Sequence, residues 1–488
     1  WTTPSVSLGV TSLIMGNCGF GIAPCWEKDR EITLANLTQV EGMSLEALTE
    51  GTQWSFISFP EYLDFLESNR VGPNVACYCG HSSLRMHVMG EAATERLATN
   101  GEVEEMKTLL LDALRAGACG FSTSTFEGHN GLGGRPMPSR LADESEIMSL
   151  TKVLGAHGSG NFMLTKGSKT TMNFLESLAA ESGRPVMVAA LLVDNLNPDR
   201  IFRELDAIQA ANERGNSMIG QVSCSPMIMD FRLNSAYPFE ILDTWQQVIP
   251  IYGDHEQLST IYASTSFRDG VRSDLKRDIA VREYTPQFDR IHVIETNDSK
   301  YAAYIGQTIQ QAAVATGVDP LDWFLDCGIE SGFDVKFSAE ILNVDEDLVS
   351  GALLHPSSNV SLSDAGAHLT LFCDAGFGLH VLGHWVRDRG DFELSEAVRM
   401  VSSAQANAFG LVDRGVIKPG YHADLLLFDP TTIGRSSRYL VSDLPANASR
   451  FTTDSIGIHG TWINGIQVAD ESGLLDVTPP GQVLREFH

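Results

Sequence analysis

Short apolar runs recur along the chain, and each is followed by a stretch in which apolar residues return every three to four positions. The runs are Thr11–Met15, Asn74–Cys79, Cys119–Ser122, Phe162–Thr165, Val186–Leu192, Ile219–Val222 and Asn359–Ser363. Runs that do not alternate with polar residues predict strands buried on both faces, as in a parallel sheet covered by helices. The intervening stretches carry helix ends: Glu104–Ala116 is closed by Gly117, Asp143–Leu154 by Gly155, and Thr171–Ser182 by Gly183. Strands alternating with helices predict an α/β fold, either a closed barrel or a doubly wound sheet.

Seven such strands can be counted, whereas a closed barrel of this kind takes eight. The first strand is expected upstream of Trp1, because Thr2-Thr3-Pro4-Ser5 reads as the tail of a loop. The stretch 231–348 is too long for an ordinary strand-to-helix connection and predicts an insertion or lid. Within it, Arg290–Thr296 ("RIHVIET") is a further strand candidate that would change the count. From Leu411 the pattern changes to β-type runs broken by Gly, Pro and Asn-Gly turn signals, as in "DRGVIKPGYHADLLLFDP" and "GIHGTWINGIQVAD". The expected division is therefore a barrel over 1–410 and part of a small β module over 411–488.

Composition narrows the partners. With 62 acidic against 34 basic residues, the formal net charge of -28 repels nucleic acid and anionic membrane surfaces. No apolar run approaches the roughly 18 residues that span a bilayer. Eight cysteines without CxxC spacing, spread over 488 residues, read as reduced thiols of a cytoplasmic protein rather than a disulfide framework. A small-molecule substrate is the expected partner, and whether identical subunits assemble stays open.

In a βα barrel the reactive groups lie at the carboxyl ends of the strands. Cys18, His81, Ser122, Lys166 and Asp364 fall just past apolar runs. Each has a structural alternative: Cys18 as a buried thiol, His81 as a loop hydrogen-bonding group, Asp364 as a helix cap. Taken together on one rim they suggest a site. A divalent metal there would bind thiolate and carboxylate and lower the pKa of bound water from about 15.7 to about 7. A neighbouring carboxylate, Asp364, would then carry the proton from water to a leaving nitrogen. One sulfur and one carboxylate are fewer ligands than zinc ordinarily takes.

The stretches "GVTSLIMGNCGFGIAP", "YCGHSSLRMHVMG", "RAGACGFSTS", "SLSDAGAH" and "ANAFGLVDRGVIKPGYHADLLLFDP", in that order, resemble the amidohydrolase superfamily members known as N-acyl-D-amino-acid deacylases, from about residue 3 to residue 470. The resemblance implies a (β/α)8 barrel of the TIM type with a small β-sandwich built from both chain ends, a zinc or other divalent cofactor, and hydrolysis of an amide bond. It implies that Cys18 is a metal ligand, that further ligands come from a His-x-His upstream of Trp1, and that Asp364 is the catalytic carboxylate; Asp364 is also expected among the metal ligands, and His81, just past its strand, beside it among the catalytic residues. His368 keeps the family's histidine four residues after Asp364.

The chain also departs from that pattern. The family's metal-binding histidines after the fifth and sixth strands have no counterpart in "NFMLTKGS" (Asn161–Ser168) or "PVMVAALLVDN" (Pro185–Asn195), which marks a divergent branch. Lys166 either neutralises an anionic substrate, supports a developing oxyanion, or reaches solvent. Arg85 either clamps a substrate carboxylate or makes a structural ion pair. With these, His368 completes the expected substrate-binding group. His380 and His384 share a helix face but lack an intervening Glu, which favours packing, and Ser122 and Ser124 form no nucleophile elbow. The expected function is metal-dependent hydrolysis of the amide of a small N-acylated amino acid. A cyclic amidase of the hydantoinase or dihydropyrimidinase kind, an esterase or lactonase, and a catalytically inactive ligand-binding barrel are the rivals.

Overall fold

The computed structural model describes residues 3–277, 284–363 and 365–488. Strands β1 (Ser12–Met15), β2 (Asn74–Gly80), β3 (Gly120–Ser124), β4 (Asn161–Thr165), β5 (Val186–Leu191) and β6 (Met218–Val222) pair in sequence order. All neighbours are parallel. Three further strands, β7 (Met227–Arg232), β8 (Ile291–Glu295) and β9 (Lys336–Leu342), leave this sheet, and β10 (Ser358–Val360) rejoins it beside β6. The result is a 7-stranded curled sheet wrapped in helices. Among the described residues β1 and β10 do not pair, so the curl stays open at one seam.

All of the expected strands are present. Candidate "RIHVIET" is also a strand, β8, but it lies in a separate antiparallel sheet of order β7-β9-β8 and does not alter the barrel count. That excursion has an aromatic core of its own, with Phe231, Phe239, Trp245, Phe324 and Phe337 buried together.

Side-chain alternation divides the barrel into two apolar layers. Val75-type positions face outward: Cys77, Cys79, Phe121, Phe162, Leu164, Val186 and Val188 pack under the helices. Ala76, Tyr78, Cys119, Met163, Met187 and Ala189 face inward, where Phe487 from the chain's last residues joins them. Each fully buried Leu, Val or Phe in these layers contributes about 1.5–3 kcal/mol.

The helices follow local rules. Thr99 caps Asn100–Ala116 in a reciprocal box with Glu102, and Gly117 ends it at φ 106, a cap worth about 1 kcal/mol. Thr171 and Gly183 likewise bound Met172–Ser182. The helix expected to stop at Gly155 instead runs Glu144–His157 and ends at Gly158. Gly155 serves close packing: a Cβ there would lie 2.3 Å from the Ser182 carbonyl oxygen.

After Leu411 a 4-stranded antiparallel sheet forms from Leu425–Phe428, Ile458–Ile463, Ile466–Asp470 and Gly473–Leu474. Val6, near the other end of the chain, packs on its Ile463 and Val468. The final segment then returns to β2, where Leu484 N–H donates to Val75 O at 2.7 Å. All eight cysteines carry free thiols, and among the described residues no helix is long and apolar enough to cross a membrane.

Candidate functional site

The gap between β1 and β10, where the sequence leads one to expect a further strand, opens into a cleft of about 1240 Å³. It is lined by β1, by the segment after β10 (Ser361, Leu362, Ser363), by the loop after β1 and by apolar residues of the C-terminal sheet. Cys18, His129, Gln221 and His368 are polar groups on its lining.

Cys18 sits in the bend that follows β1, and the bend explains its glycines. The backbone at Gly19 has φ 75, and a Cβ there would come within 2.9 Å of Ser122 O and the Thr123 Cα. Ser122 Oγ donates to Gly16 O at 2.5 Å, fixing the turn against β3. Cys18 itself adopts φ 59, ψ 4, a left-handed conformation that costs a non-glycine residue about 1–3 kcal/mol and is concentrated at functional sites. Thr165 Oγ1, at the end of β4, donates to Cys18 Sγ at 3.1 Å. The thiol is thus held across the mouth of the sheet as an acceptor.

His368, like Cys18 and Leu362 on the same lining, has a left-handed backbone, at φ 53. Its ring stacks on Phe372 at 4.7 Å and lies 6.5 Å from Tyr237. The loop that carries it is tied down on both sides. Leu369 N–H donates to Glu41 O at 3.0 Å, Thr370 Oγ1 to Gly42 O at 3.0 Å, and Phe451 N–H to Leu369 O at 2.8 Å. Asp364, expected beside it, lies outside the described residues.

The other expected site residues are placed elsewhere. His81 opens the helix His81–Met89 and is fully buried, with Nδ1 2.8 Å from Thr123 Oγ1 and Nε2 2.9 Å from Glu146 Oε1. Arg85, equally buried, donates to both Glu146 oxygens at 2.6 Å and to Arg96 O at 2.8 Å. Burial pushes the His81 pKa down, against the pull of Glu146, and the ring stays below its ordinary value. Burial pushes the Glu146 carboxyl up, but His81 and Arg85 outweigh it and hold it below the usual range. This is an ion-pair cluster between the sheet's outer face and two helices. Neither His81 nor Arg85 lines the cleft. Lys166, at the end of β4, pairs with Glu204 Oε1 at 3.0 Å and is likewise absent from the cleft wall. His384 bonds Glu346 at 2.8 Å and stacks on His380 at 4.7 Å, the packing role expected for that pair.

His129 was not singled out by its sequence, although a histidine in the glycine-rich "EGHNGLGG" loop just beyond a strand end was a signal available there. It is 5% exposed. Its ring meets Phe20 edge-on at 4.9 Å and Phe126 at 5.0 Å, and Nδ1 is 2.7 Å from Ser124 Oγ. Burial, aided by the fields of His368 and Arg140, holds its pKa well below the ordinary histidine value. The imidazole is therefore neutral at pH 7. Gln221, near the end of β6, also went unnoticed; it is buried, with Oε1 making no hydrogen bond.

Comparison with known proteins shows what this chain is similar to. The amidohydrolase family profile matches residues 360–469. D-aminoacylase of Alcaligenes xylosoxydans xylosoxydans is 26% identical over 473 residues, covering 96% of this chain and 80% of that protein. Over residues 360–469, then, the chain is similar to the amidohydrolase family, and over nearly its whole length to D-aminoacylase. N-acyl-D-aspartate deacylase from the same organism is 24% identical over 490 residues, 99% of this chain and 80% of the relative. In three dimensions a crystal structure of D-aminoacylase superposes with a TM-score of 0.64 at 23% identity, covering 99% of this chain and 85% of the other. N-acyl-D-glutamate deacylase from Bordetella bronchiseptica, in complex with zinc and a phosphonate mimic of the tetrahedral intermediate, gives a TM-score of 0.64 at 23% identity, covering 99% and 84%.

Cys18 offers a soft sulfur at a strand end, facing a cleft and already oriented by Thr165, as a ligand to a soft divalent cation is. Among the described residues no group of three or more His, Cys, Asp and Glu converges.

Proposed function

We propose that this protein hydrolyses the amide bond of a small N-acylated amino acid and that zinc or another divalent cation is its cofactor. The observation that supports it best is Cys18: a thiol held at a strand end over the cleft, in a chain similar along nearly its whole length to D-aminoacylase. Cys18 and Asp364 are the residues that would hold the cation. When bound, it supplies the positive charge that makes a water molecule acidic enough to be nucleophilic at neutral pH. Asp364 takes up the water's proton and returns it to the departing nitrogen. His368, fixed by its strained backbone and by Phe372, contacts the substrate. His81, Arg85 and Lys166 serve this site by holding the framework behind it. The free thiols support a reducing compartment, the cytoplasm, as its place of work.

A panel of N-acetyl- and longer N-acyl-amino acids of both configurations, read by release of free amine, tests this reading. Hydrolysis of at least one member, lost on chelation, restored by zinc and reduced by roughly 10²-fold or more in Cys18→Ala, is the expected result. Amide hydrolysis that survives both chelation and Cys18→Ala would contradict it.

A further inference from the structure

A neutral imidazole can offer a lone pair or an N–H from its outer nitrogen, and the proton's place decides which. For His129 the fold decides it. Ser124 is fully buried at the end of β3. Its Oγ accepts the N–H of Phe126 at 3.2 Å, and among the described residues its one other partner is His129 Nδ1 at 2.7 Å. If Nδ1 carried the proton, the serine hydroxyl hydrogen would be sealed in the core with nothing to receive it. The serine therefore donates to Nδ1, and the ring's own proton lies on Nε2.

That Nε2–H makes no hydrogen bond to any described residue, although the ring is clamped on every other side. Phe20 and Phe126 hold its faces and edges, and its backbone carbonyl takes Met137 N–H and Arg140 Nη1, both at 3.1 Å. A rigid, neutral N–H donor on a largely apolar cleft has one natural use. It binds an oxygen that gains negative charge, because a donor already oriented pays no reorganisation when the charge develops.

We propose that His129 is a catalytic hydrogen-bond donor, its Nε2–H binding the carbonyl oxygen of the scissile amide and holding the oxyanion formed when water adds. The inference rests on the amide-hydrolysing function proposed above. Water oxygen bonds to the carbonyl carbon, and the C=O π pair moves onto oxygen, where Nε2–H receives it. On collapse that pair re-forms the carbonyl, the C–N bond breaks, and the amine nitrogen leaves with the proton given up by the water. His129 keeps its proton throughout. The site so defined, with Cys18 on the neighbouring loop, takes substrates with a polarised carbonyl.

His129→Phe keeps the ring packed between Phe20 and Phe126 but removes the donor, and His129→Gln keeps an N–H. For each, kcat and KM on the best amide of the panel are measured together with affinity for the phosphonate that mimics its tetrahedral intermediate. His129→Phe should lower kcat by roughly 10²–10³-fold and phosphonate affinity by a similar factor, with KM changed by no more than about threefold. His129→Gln should recover part of both. Independently, 15N spectra of histidine-labelled protein should show His129 protonated at Nε2 and not at Nδ1. Wild-type kcat and phosphonate affinity in His129→Phe, or a proton on Nδ1, overturn the proposal while leaving the function standing. A wild type that neither hydrolyses any amide nor binds the phosphonate overturns the function, and this role with it.

Discussion

His81 and His129 are two buried histidines that place Nδ1 against hydroxyls of adjacent residues on β3, Thr123 and Ser124. Successive residues of a strand point to opposite faces. Thr123 faces the helix layer, beside Phe121, and there His81 spends its second nitrogen on Glu146. Ser124 points to the opposite face, and there His129, part of the cleft lining, gives its second nitrogen no hydrogen bond to a described residue. Chemically similar pairs, one residue apart, thus serve packing in one case and a site in the other. What separates them is the face of the sheet, not the local sequence.

The largest effect expected on the outer side is Glu146→Ala. It leaves the Arg85 guanidinium, 0% exposed, without its carboxylate, and breaking such a pair costs about 3–5 kcal/mol. Thermal and denaturant unfolding should register that loss, while kcat per folded molecule stays near wild type. A loss of activity with unchanged unfolding would break the comparison.

On the inner side the pattern reverses. His129→Phe should cost kcat by roughly 10²–10³-fold, with stability lowered only by what the unpaired Ser124 hydroxyl costs, about 1–3 kcal/mol. His81→Phe should lower the melting temperature and spare kcat. If both variants lose stability alike, the two faces are not distinct in role.

The adjacent hydroxyls sharpen the contrast with smaller changes. Thr123→Val deprives His81 Nδ1 of its partner in a sealed site, for about 1–3 kcal/mol of stability. Ser124→Ala releases the His129 tautomer and should lower kcat by about tenfold, with the 15N signature shifting towards a mixture.

Acid provides the smallest test. Both His81 and Glu146 have folded pKa values below their ordinary ones, chiefly because burial opposes the charged histidine, and because His81 and Arg85 overcome burial for the carboxyl. In each case the unfolded chain binds protons more readily, so this stability is complete above the unfolded values. It is lost as pH falls, first through the ordinary histidine range and then through the carboxylate range to the folded value of Glu146. Glu146→Gln should therefore flatten the acid side of a plot of melting temperature against pH. A slope as steep as wild type would place the acid-sensitive group elsewhere.

Much of this architecture is legible in the chain. The apolar runs place the barrel strands because buried parallel strands have a period and composition of their own, and Cys18 stands out because it follows such a run in a glycine-rich bend. What the chain does not disclose is long-range partner choice. Arg85 and Lys166 carry the charge a substrate carboxylate wants, but Glu146 and Glu204, 61 and 38 positions away, take them first. Gly155 looks like a helix terminator until the Ser182 carbonyl is found against it. His129 lies beyond the strand end by a loop whose path only the packed structure defines, and its tautomer follows from a serine whose burial no periodicity reports.

The claim on which the rest depends is that the thiol of Cys18 binds a divalent metal that the hydrolysis requires. Loading the chelated protein with cobalt(II) and recording its near-ultraviolet spectrum reads that bond directly, since a thiolate bound to cobalt(II) gives a sulfur-to-metal charge-transfer band. The band should appear as amide hydrolysis returns, and both should be absent in Cys18→Ser under identical loading. A Cys18→Ser protein that keeps the band, or hydrolyses amides at the wild-type rate without it, would contradict the account.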